Sequence, residues 1–433
     1  MTITTGLWER WGRLTATDLP ADVDTVARQC ILDWFACAVA GSAEPLSRIL
    51  REELVTAEGE ASIVGTGQRS GARTAALVNG AASHALDYDD THLVLGGHST
   101  VPVFPAALAL AEELDRSGAD LLAAFVAGVE IETRLGAGIG PSHYAKGWHA
   151  TSSIGIFGAT AAASRLLDLD AEQFGRAMGL AASQASGLKA NFGTMTKPFH
   201  AGHAAERGLL AAQLARRGFT ANPDALDANQ GLSQAAADGH WHDERMDALD
   251  DWLLPQTLFK YHAACYLTHA AIEATASLGP AADAVERITV TVNPGHLDVC
   301  AIPRPRTGLE AKFSLTATTA FTVLGIDTTD PASFVDEHAA DERVRALIER
   351  VDVDTDPELR NTQVRVEVVA DGRTRVAEYD TGVPATDLDA QGAKLRAKFS
   401  NLVEPLLGGD AKALAERIEH VTALPSTRQL VSG

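Results

Sequence analysis

The residues best suited to moving protons or holding anions fall in four short segments. The first is Gly193-Thr-Met-Thr-Lys-Pro-Phe-His200. Only 8 of the chain's 36 basic side chains are lysine, so 28 are arginine. Arginine supplies a permanent charge, whereas an ammonium is compact and titrates when buried, so a lysine kept at position 197 reads as one needed as lysine. Pro198 would set the entry of a helix over Ala201 to Arg216, with Lys197 near its N-terminus and His200 on its first turn. The competing reading of Lys197 is an ordinary solvated side chain.

Asp87-Tyr-Asp-Asp-Thr91, followed by Gly96-Gly-His98, joins a carboxylate cluster to an imidazole through a glycine-containing loop. Carboxyls this close raise one another's pKa, which prepares an acid or a base. A solvated turn with a helix cap would use the same residue types. A calcium loop would need a regular alternation and a distal Glu, both absent. His143-Tyr144-Ala-Lys146-Gly-Trp148-His149 places further proton carriers ahead of a helix beginning near Thr151, whose N-terminus favours an anion. Ordinary loop residues anchored by Trp148 are the bland alternative.

The fourth group is Lys260-Tyr-His-Ala-Ala-Cys265, with Arg304-Pro-Arg306 leading into Glu310-Ala-Lys312-Phe-Ser314. It begins where helical patterning gives way to mixed patterning. Clefts between domains are preferred ligand sites, so cations there would clamp a polycarboxylate; a hinge with incidental charge is the alternative. Cys265 reads first as a packed helix residue. Cys30, Cys37, Cys265 and Cys300 show no metal-ligand spacing, and the His143–His149 spacing is no standard zinc pattern, so no metal is expected. With no phosphate loop, dinucleotide fingerprint or nucleophile elbow, no cofactor is expected either.

The elements that must position these groups are mostly helices. Val23, Val26, Ala27, Cys30, Ile31, Trp34 and Phe35 recur at three and four residues within Asp22 to Ala40. Similar Ala/Leu-rich runs cover Val103 to Leu114, Ala119 to Leu135, Ser152 to Leu167, Ala171 to Leu188, Ala201 to Arg216 and Cys265 to Leu278. Their small residues predict a bundle with several helices buried all round. Near residue 284 the period changes to two: Val285 to Val292 reads as a strand, and Val364 to Val368, Asp371-Gly372 and Arg373 to Tyr379 as a hairpin. Short helices are expected between them at Ala311 to Gly325, Pro331 to Glu337 and Asp341 to Arg350. The expected fold is therefore mainly α. An all-helical domain takes residues 1–259 and 393–433, and an α+β domain takes 260–392, with the tail from Gln391 returning to the bundle.

Composition narrows the partners. A formal net charge of −21 repels nucleic acid and anionic membrane, and no basic patch overrides it. No leader-like segment opens the chain and no apolar run reaches about 18 residues, so a reduced, cytoplasmic protein is expected. An anionic substrate must be held by a local cationic pocket against the long-range field.

These blocks, in this order, resemble the MmgE/PrpD family, which includes 2-methylcitrate dehydratase, cis-aconitate decarboxylase and iminodisuccinate epimerase. The matching residues are His84-Ala-Leu-Asp-Tyr-Asp-Asp-Thr91, Gly147-Trp-His149, Gly193-Thr-Met-Thr-Lys-Pro-Phe-His200, Lys260 with Cys265, and Glu310-Ala-Lys-Phe-Ser314. The resemblance implies a helical domain made of both chain ends, a smaller α+β lid, a homodimer, and a metal-free site taking a small polycarboxylate. It places site residues on Asp87, Thr91, His98, His149, Lys197 and Lys260. Tyr144 looks most like the epimerase branch. Cys265 stands where decarboxylase and dehydratase members often have histidine, and Thr316-Ala317 where they have Gln-Tyr, which weighs most against decarboxylation.

The expected activity is a cofactor-independent, dehydratase-like lyase that removes a proton beside a carboxylate of a di- or tricarboxylic acid. His98, Tyr144, His149, Lys197 and Lys260 would act catalytically; Asp87, Thr91, His200, Cys265, Lys312 and Ser314 would bind substrate. The alternatives are an epimerase of a dicarboxylate and a non-catalytic carboxylate-binding protein.

Overall fold

From Val101 to Ala111 the chain offers only apolar side chains, and the helix Thr100–Leu114 buries every one of them, with Phe104 edge-on to Trp34 at 4.8 Å and to Phe125 at 5.5 Å between ring centroids. A helix apolar on all faces is stable only inside a bundle. Here its neighbours are Ala72–His84, Gly118–Ile139, Gly155–Leu166 and Thr196–Arg216. The computed structural model describes residues 2–55, 58–249 and 251–431. The chain divides into two compact units, Met1–Phe259 with Thr386–Gly433, and Lys260–Ala385.

In the first unit, small residues set how closely the helices cross. A Cβ on Gly202 of Thr196–Arg216 would lie 2.0 Å from the Leu77 carbonyl oxygen of Ala72–His84, so only glycine allows this approach. That crossing brings the first turn of one helix, with Lys197 and His200, toward the C-terminal end of the other, which carries His84. Ala21–Gly41 buries Cys30 and Cys37 on its packed faces and receives the helix Leu388–Leu407, so residues more than 350 positions apart share one core.

The second unit holds a four-stranded sheet in the order Val351–Thr355, Val285–Val292, Gln363–Ala370, Arg373–Asp380. The first pair is parallel and the others antiparallel. Ile288, Val290 and Val292 face inward together with Val364, Val366 and Val368, as the period of two requires. Asp371 and Gly372 both take positive φ, 51° and 66°, the backbone a tight hairpin turn demands. The helices Tyr266–Leu278 and Leu315–Leu324 pack against each other, and Tyr266–Leu278 also packs on the hairpin strands.

Several boundaries differ from the sequence reading. The run Ala171 to Leu188 is helical only to Ala182, and the helix expected from Ala201 begins at Thr196. The stretch from Ser152 to Leu167 is two helices, Ala150–Ser153 and Gly155–Leu166, joined at Ile154. The tail helix starts at Leu388, capped by Asp387. Among the described residues no helix is long and apolar enough to cross a membrane.

Candidate active site

The site is built on the loop that leaves Ala72–His84. Its first turn is closed by the Asp87 N–H donating to the His84 carbonyl at 3.1 Å, with Asp87 at φ 50°, a left-handed conformation that aspartate tolerates better than most residues. This turn sends neighbouring carboxylates in opposite directions. The Asp87 side chain is 56% exposed, whereas that of Asp89 is 1% exposed.

Asp89 lies between two imidazoles. Its oxygens are 2.9 and 3.0 Å from His84 Nδ1, and Oδ2 lies 2.7 Å from His98 Nδ1. Burial pushes the Asp89 carboxyl upward, but the two imidazoles outweigh it and hold it well below the usual carboxylate range. Burial lowers His84 to about 4, more than Asp89 raises it, so the ring is neutral at pH 7. An anionic carboxylate only accepts, so His84 carries its proton on Nδ1 and leaves Nε2 bare and buried. His98 reaches a second carboxylate at its other nitrogen, with Nε2 3.6 Å from Asp87 Oδ1.

That same Asp87 oxygen is 2.7 Å from Lys197 Nζ. Lys197 occupies the first turn of Thr196–Arg216, and its ammonium lies 5.4 Å from the Phe192 ring centroid. The N–H groups of that turn already have partners: Thr196 N donates to Thr194 Oγ1, Lys197 N to the Thr194 carbonyl and Phe199 N to the Met195 carbonyl. Pro198 has none, so this turn offers no bare helix amide to an anion.

His149 completes the cluster from the segment ahead of Ala150–Ser153. Its N–H donates to the Gly187 carbonyl at 2.9 Å, and its ring meets Phe192 edge-on at 4.9 Å. His149 Nδ1 is 3.1 Å from His200 Nδ1, so a single proton lies between the two rings and their tautomers are linked. Burial, reinforced by His84, His98, Lys197 and His200, lowers His149 to about 2; burial and then His203 lower His200. Both rings are neutral proton carriers at pH 7.

The remaining expected residues fall as follows. Thr91 anchors the loop, pairing its backbone with Leu258 at 2.8 Å in both directions and donating from Oγ1 to the Gly97 carbonyl at 3.1 Å. Gly97 lets the loop pass Thr151, whose N would lie 2.8 Å from an added Cβ, and the His98 N–H donates to Thr151 Oγ1 at 3.1 Å. Tyr144 is 41% exposed with Lys189 Nζ 3.6 Å from its ring centroid, and burial followed by Asp87 raises its pKa, which keeps the phenol protonated. Its neighbours His143 and Lys146 point elsewhere: His143 bonds the Ala236 carbonyl and Ser153 Oγ, and Lys146 bonds the Ala237 carbonyl.

Lys260, Cys265, Lys312 and Ser314 belong to the second unit. Lys260 is 5% exposed. The Cys265 N–H donates to the Lys312 carbonyl at 2.9 Å, and its thiol interacts with that of Cys300. Lys312 Nζ lies 5.6 Å from the Phe334 ring centroid. Ser314 is fully buried, and its Oγ accepts from Ala317 N at 3.1 Å as the cap of Leu315–Leu324.

Sequence reasoning passed over His84 and Asp89, although both lie in the quoted motif. An Asp-rich loop next to a helix end reads as solvated, and only the left-handed turn at Asp87 reveals which carboxyl goes inward. His84, Asp87, Asp89 and His98 present ligand atoms within 4.8 Å of one another. A divalent ion held by all four would have to displace the Lys197 ammonium from Asp87.

The helical unit thus gathers imidazoles, a buried carboxylate and a lysine at helix ends. The chain belongs to the MmgE/PrpD family: the family's N-terminal domain matches residues 11–244 and its C-terminal domain residues 262–424. It is similar to cis-aconitate decarboxylase of Mus musculus, 33% identical over 310 residues, covering 66% of this chain and 61% of that protein. The cis-aconitate decarboxylase of Homo sapiens is 38% identical over 218 residues, 47% and 44% of the two chains. That of Aspergillus terreus is 32% identical over 286 residues, 62% and 58%. The chain thus spans about half to three fifths of the length of the curated relatives it matches.

Proposed function

We propose that this protein is a cofactor-independent lyase that transfers a proton at a carbon beside a carboxylate of a small di- or tricarboxylic acid. The observation that carries this reading is Asp89, buried and anionic, orienting His84 and His98, with Lys197 and Asp87 paired at the exposed side. A buried carboxylate holding an imidazole by Nδ1 fixes the tautomer and leaves Nε2 to exchange a proton with substrate. As His98 Nε2 takes the proton, electron density moves onto the substrate carboxylate. The Lys197 ammonium and the neutral His149 then stabilise that charge, as preorganised donors in a site lined by Phe192.

In dehydration the C–H electron pair forms the new double bond as the β-hydroxyl departs, taking a proton to leave as water. The second reading, favoured by the names of the similar proteins, is decarboxylation. There the C–C bond to a carboxylate breaks, CO2 leaves, and an imidazole or the Tyr144 phenol protonates the carbon that keeps the electron pair. Cys265 and Thr316-Ala317 still weigh against it. A homodimer and a metal-free reaction remain part of the proposal.

The test is incubation of the purified chain with citrate, methylcitrate, cis-aconitate and aminodicarboxylates in H2O and D2O, followed by proton NMR. Loss of water, with the abstracted proton released to solvent, is the expected result; loss of CO2 with solvent deuterium on the carbon that bore the lost carboxylate marks the second reading. Deuterium exchange without loss of either would make it an epimerase. Binding of these acids by a folded protein with neither exchange nor product would refute catalysis and leave a carboxylate-binding protein.

A further inference from the structure

Lys398 stands some 200 residues beyond Lys197 and His200, on the helix Leu388–Leu407, yet it is one of the largest side chains to be fully buried. Its Nζ donates to the Tyr88 carbonyl at 2.6 Å and to Asp33 Oδ1 at 2.5 Å, and it lies 3.9 Å from the Tyr88 ring centroid. Asp33 is on Ala21–Gly41 and, like Lys398, is 1% exposed. Taking two charges out of water costs several kcal/mol per ion, and well-packed apolar residues often replace such a pair without loss. Stability alone is therefore a poor reason for an ammonium here.

Position is a better one. Tyr88 sits between Asp87, which turns outward to Lys197, and Asp89, which turns inward to His84 and His98. The carbonyl that Lys398 holds belongs to the peptide leading into Asp89, and the ring beneath the ammonium belongs to the same residue. Asp90 is pinned in turn by Thr100, whose N–H lies 3.3 Å from Oδ1 and whose hydroxyl donates to Oδ2. From Asp87 to Asp90, each residue has its own anchor. The anchor on Tyr88 comes from the C-terminal segment.

The geometry points to Lys398 as a positioning residue: by gripping the carbonyl and ring of Tyr88 it sets the peptide plane that aims Asp89 at His84 and His98. It touches no reacting atom. The inference rests on the proposed function only in treating His98 as the proton carrier, and its decisive test does not use turnover.

That test is 15N-histidine NMR of the full chain in three forms: wild type, Lys398→Met, and the double variant Asp33→Asn/Lys398→Met. The double variant removes both charges, so no uncompensated ion remains buried if the single variant fails to fold. The expected result in a folded variant is a change in the ring-nitrogen signals of His84 and His98, identified with His84→Asn and His98→Asn, while the exposed His240 and the partly buried His242 keep theirs. Turnover of whichever acid proves active should fall about 100-fold in kcat with little change in KM, the scale of a misplaced catalytic group. Unchanged His84 and His98 signals in a folded variant overturn the proposal, whatever the turnover. Failure of both variants to fold also overturns it, by making Lys398 a core residue. If the wild type turns over no acid, the functional reading fails and the NMR comparison still decides the role of Lys398.

Discussion

Replacing Lys197 with methionine separates catalysis from stability more sharply than any other change. Methionine keeps the length of the stem beside Phe192 and removes only the charge. The ion pair that is lost looks strong on paper: two unit charges 2.7 Å apart attract by about 6 kcal/mol at an effective dielectric near 20. Asp87 is 56% exposed, however, so water takes over most of that interaction when the partner goes. Pairs of this kind contribute about 0–1 kcal/mol, and the melting temperature should fall by no more than a few degrees. The transition state has no such substitute, because the ammonium is fixed in place before charge develops. Removing one preorganised group of this type lowers kcat by about 100- to 1,000-fold, or 3–4 kcal/mol. The variant should therefore keep its fold and lose activity on the acid identified by the NMR panel, with initial rates and thermal melts measured on one preparation. A melt within a few degrees of wild type with kcat within about threefold, under 1 kcal/mol of barrier, would refute the role given to Lys197.

Other perturbations carry equally definite expectations. His200→Asn leaves His149 Nδ1 without its imidazole partner, so kcat should drop about tenfold while KM changes little, and an unchanged kcat would show that the Nδ1 pair does not set the His149 tautomer. Tyr144→Phe should lower kcat and remove the basic limb of its pH profile if the raised phenol is the proton donor; a retained limb assigns that step to an imidazole. Acid should destabilise the fold through four buried histidines: His84, His92 and His143, each lowered to about 4 chiefly by burial, and His149, lowered to about 2. The folded pKa is the lower one, so stability is intact above about 6.5 and is lost as pH falls through the interval below it, about 2 kcal/mol per ring by pH 5. Asp90 works the other way. Burial and then Asp33 raise it to about 7, so folding gains from its protonation over the same range. His92→Asn, at a ring that bonds the Leu253 carbonyl, should flatten the loss between pH 7 and 5 by about 2 kcal/mol in chemical denaturation, and a parallel curve would contradict the assignment.

What the sequence could and could not show follows from which interactions are local. The period of three and four in Ala21–Gly41 and the alternation in Val285–Val292 are consequences of one buried face, and each is written within a single element. The Asp371-Gly372 turn is equally local. The parallel strand Val351–Thr355 escaped notice because five residues alternating Val and Asp resemble a charged loop until Val285–Val292 is beside them. Lys197 stood out through the scarcity of lysine, yet that signal does not discriminate alone. Lys412 is 86% exposed and Lys398 1% exposed, and both lie in charged, C-terminal helices. Burial of Lys398 is decided by Asp33 and Tyr88, more than 300 residues away, which no window along the chain can contain.

The Asp87 to Asp90 loop shows how one run of acidic residues supplies different electrostatic roles. Asp87 turns outward, where water and the Lys197 ammonium share its charge. Asp89 turns inward between two imidazoles that more than offset the cost of burial. Asp90 is buried beside Asp33, and its bonds from Thr100 leave it near 7, half protonated when its neighbour Asp89 is fully ionised. Separating the proton affinities of adjacent like groups is what acid–base catalysis requires, because one must hold its charge while others exchange protons. Here the separation needs no unusual residue type. It needs a left-handed turn, two histidines on one side and a distant lysine on the other, so the electrostatic character of this loop is a property of the tertiary fold and not of its acidic composition.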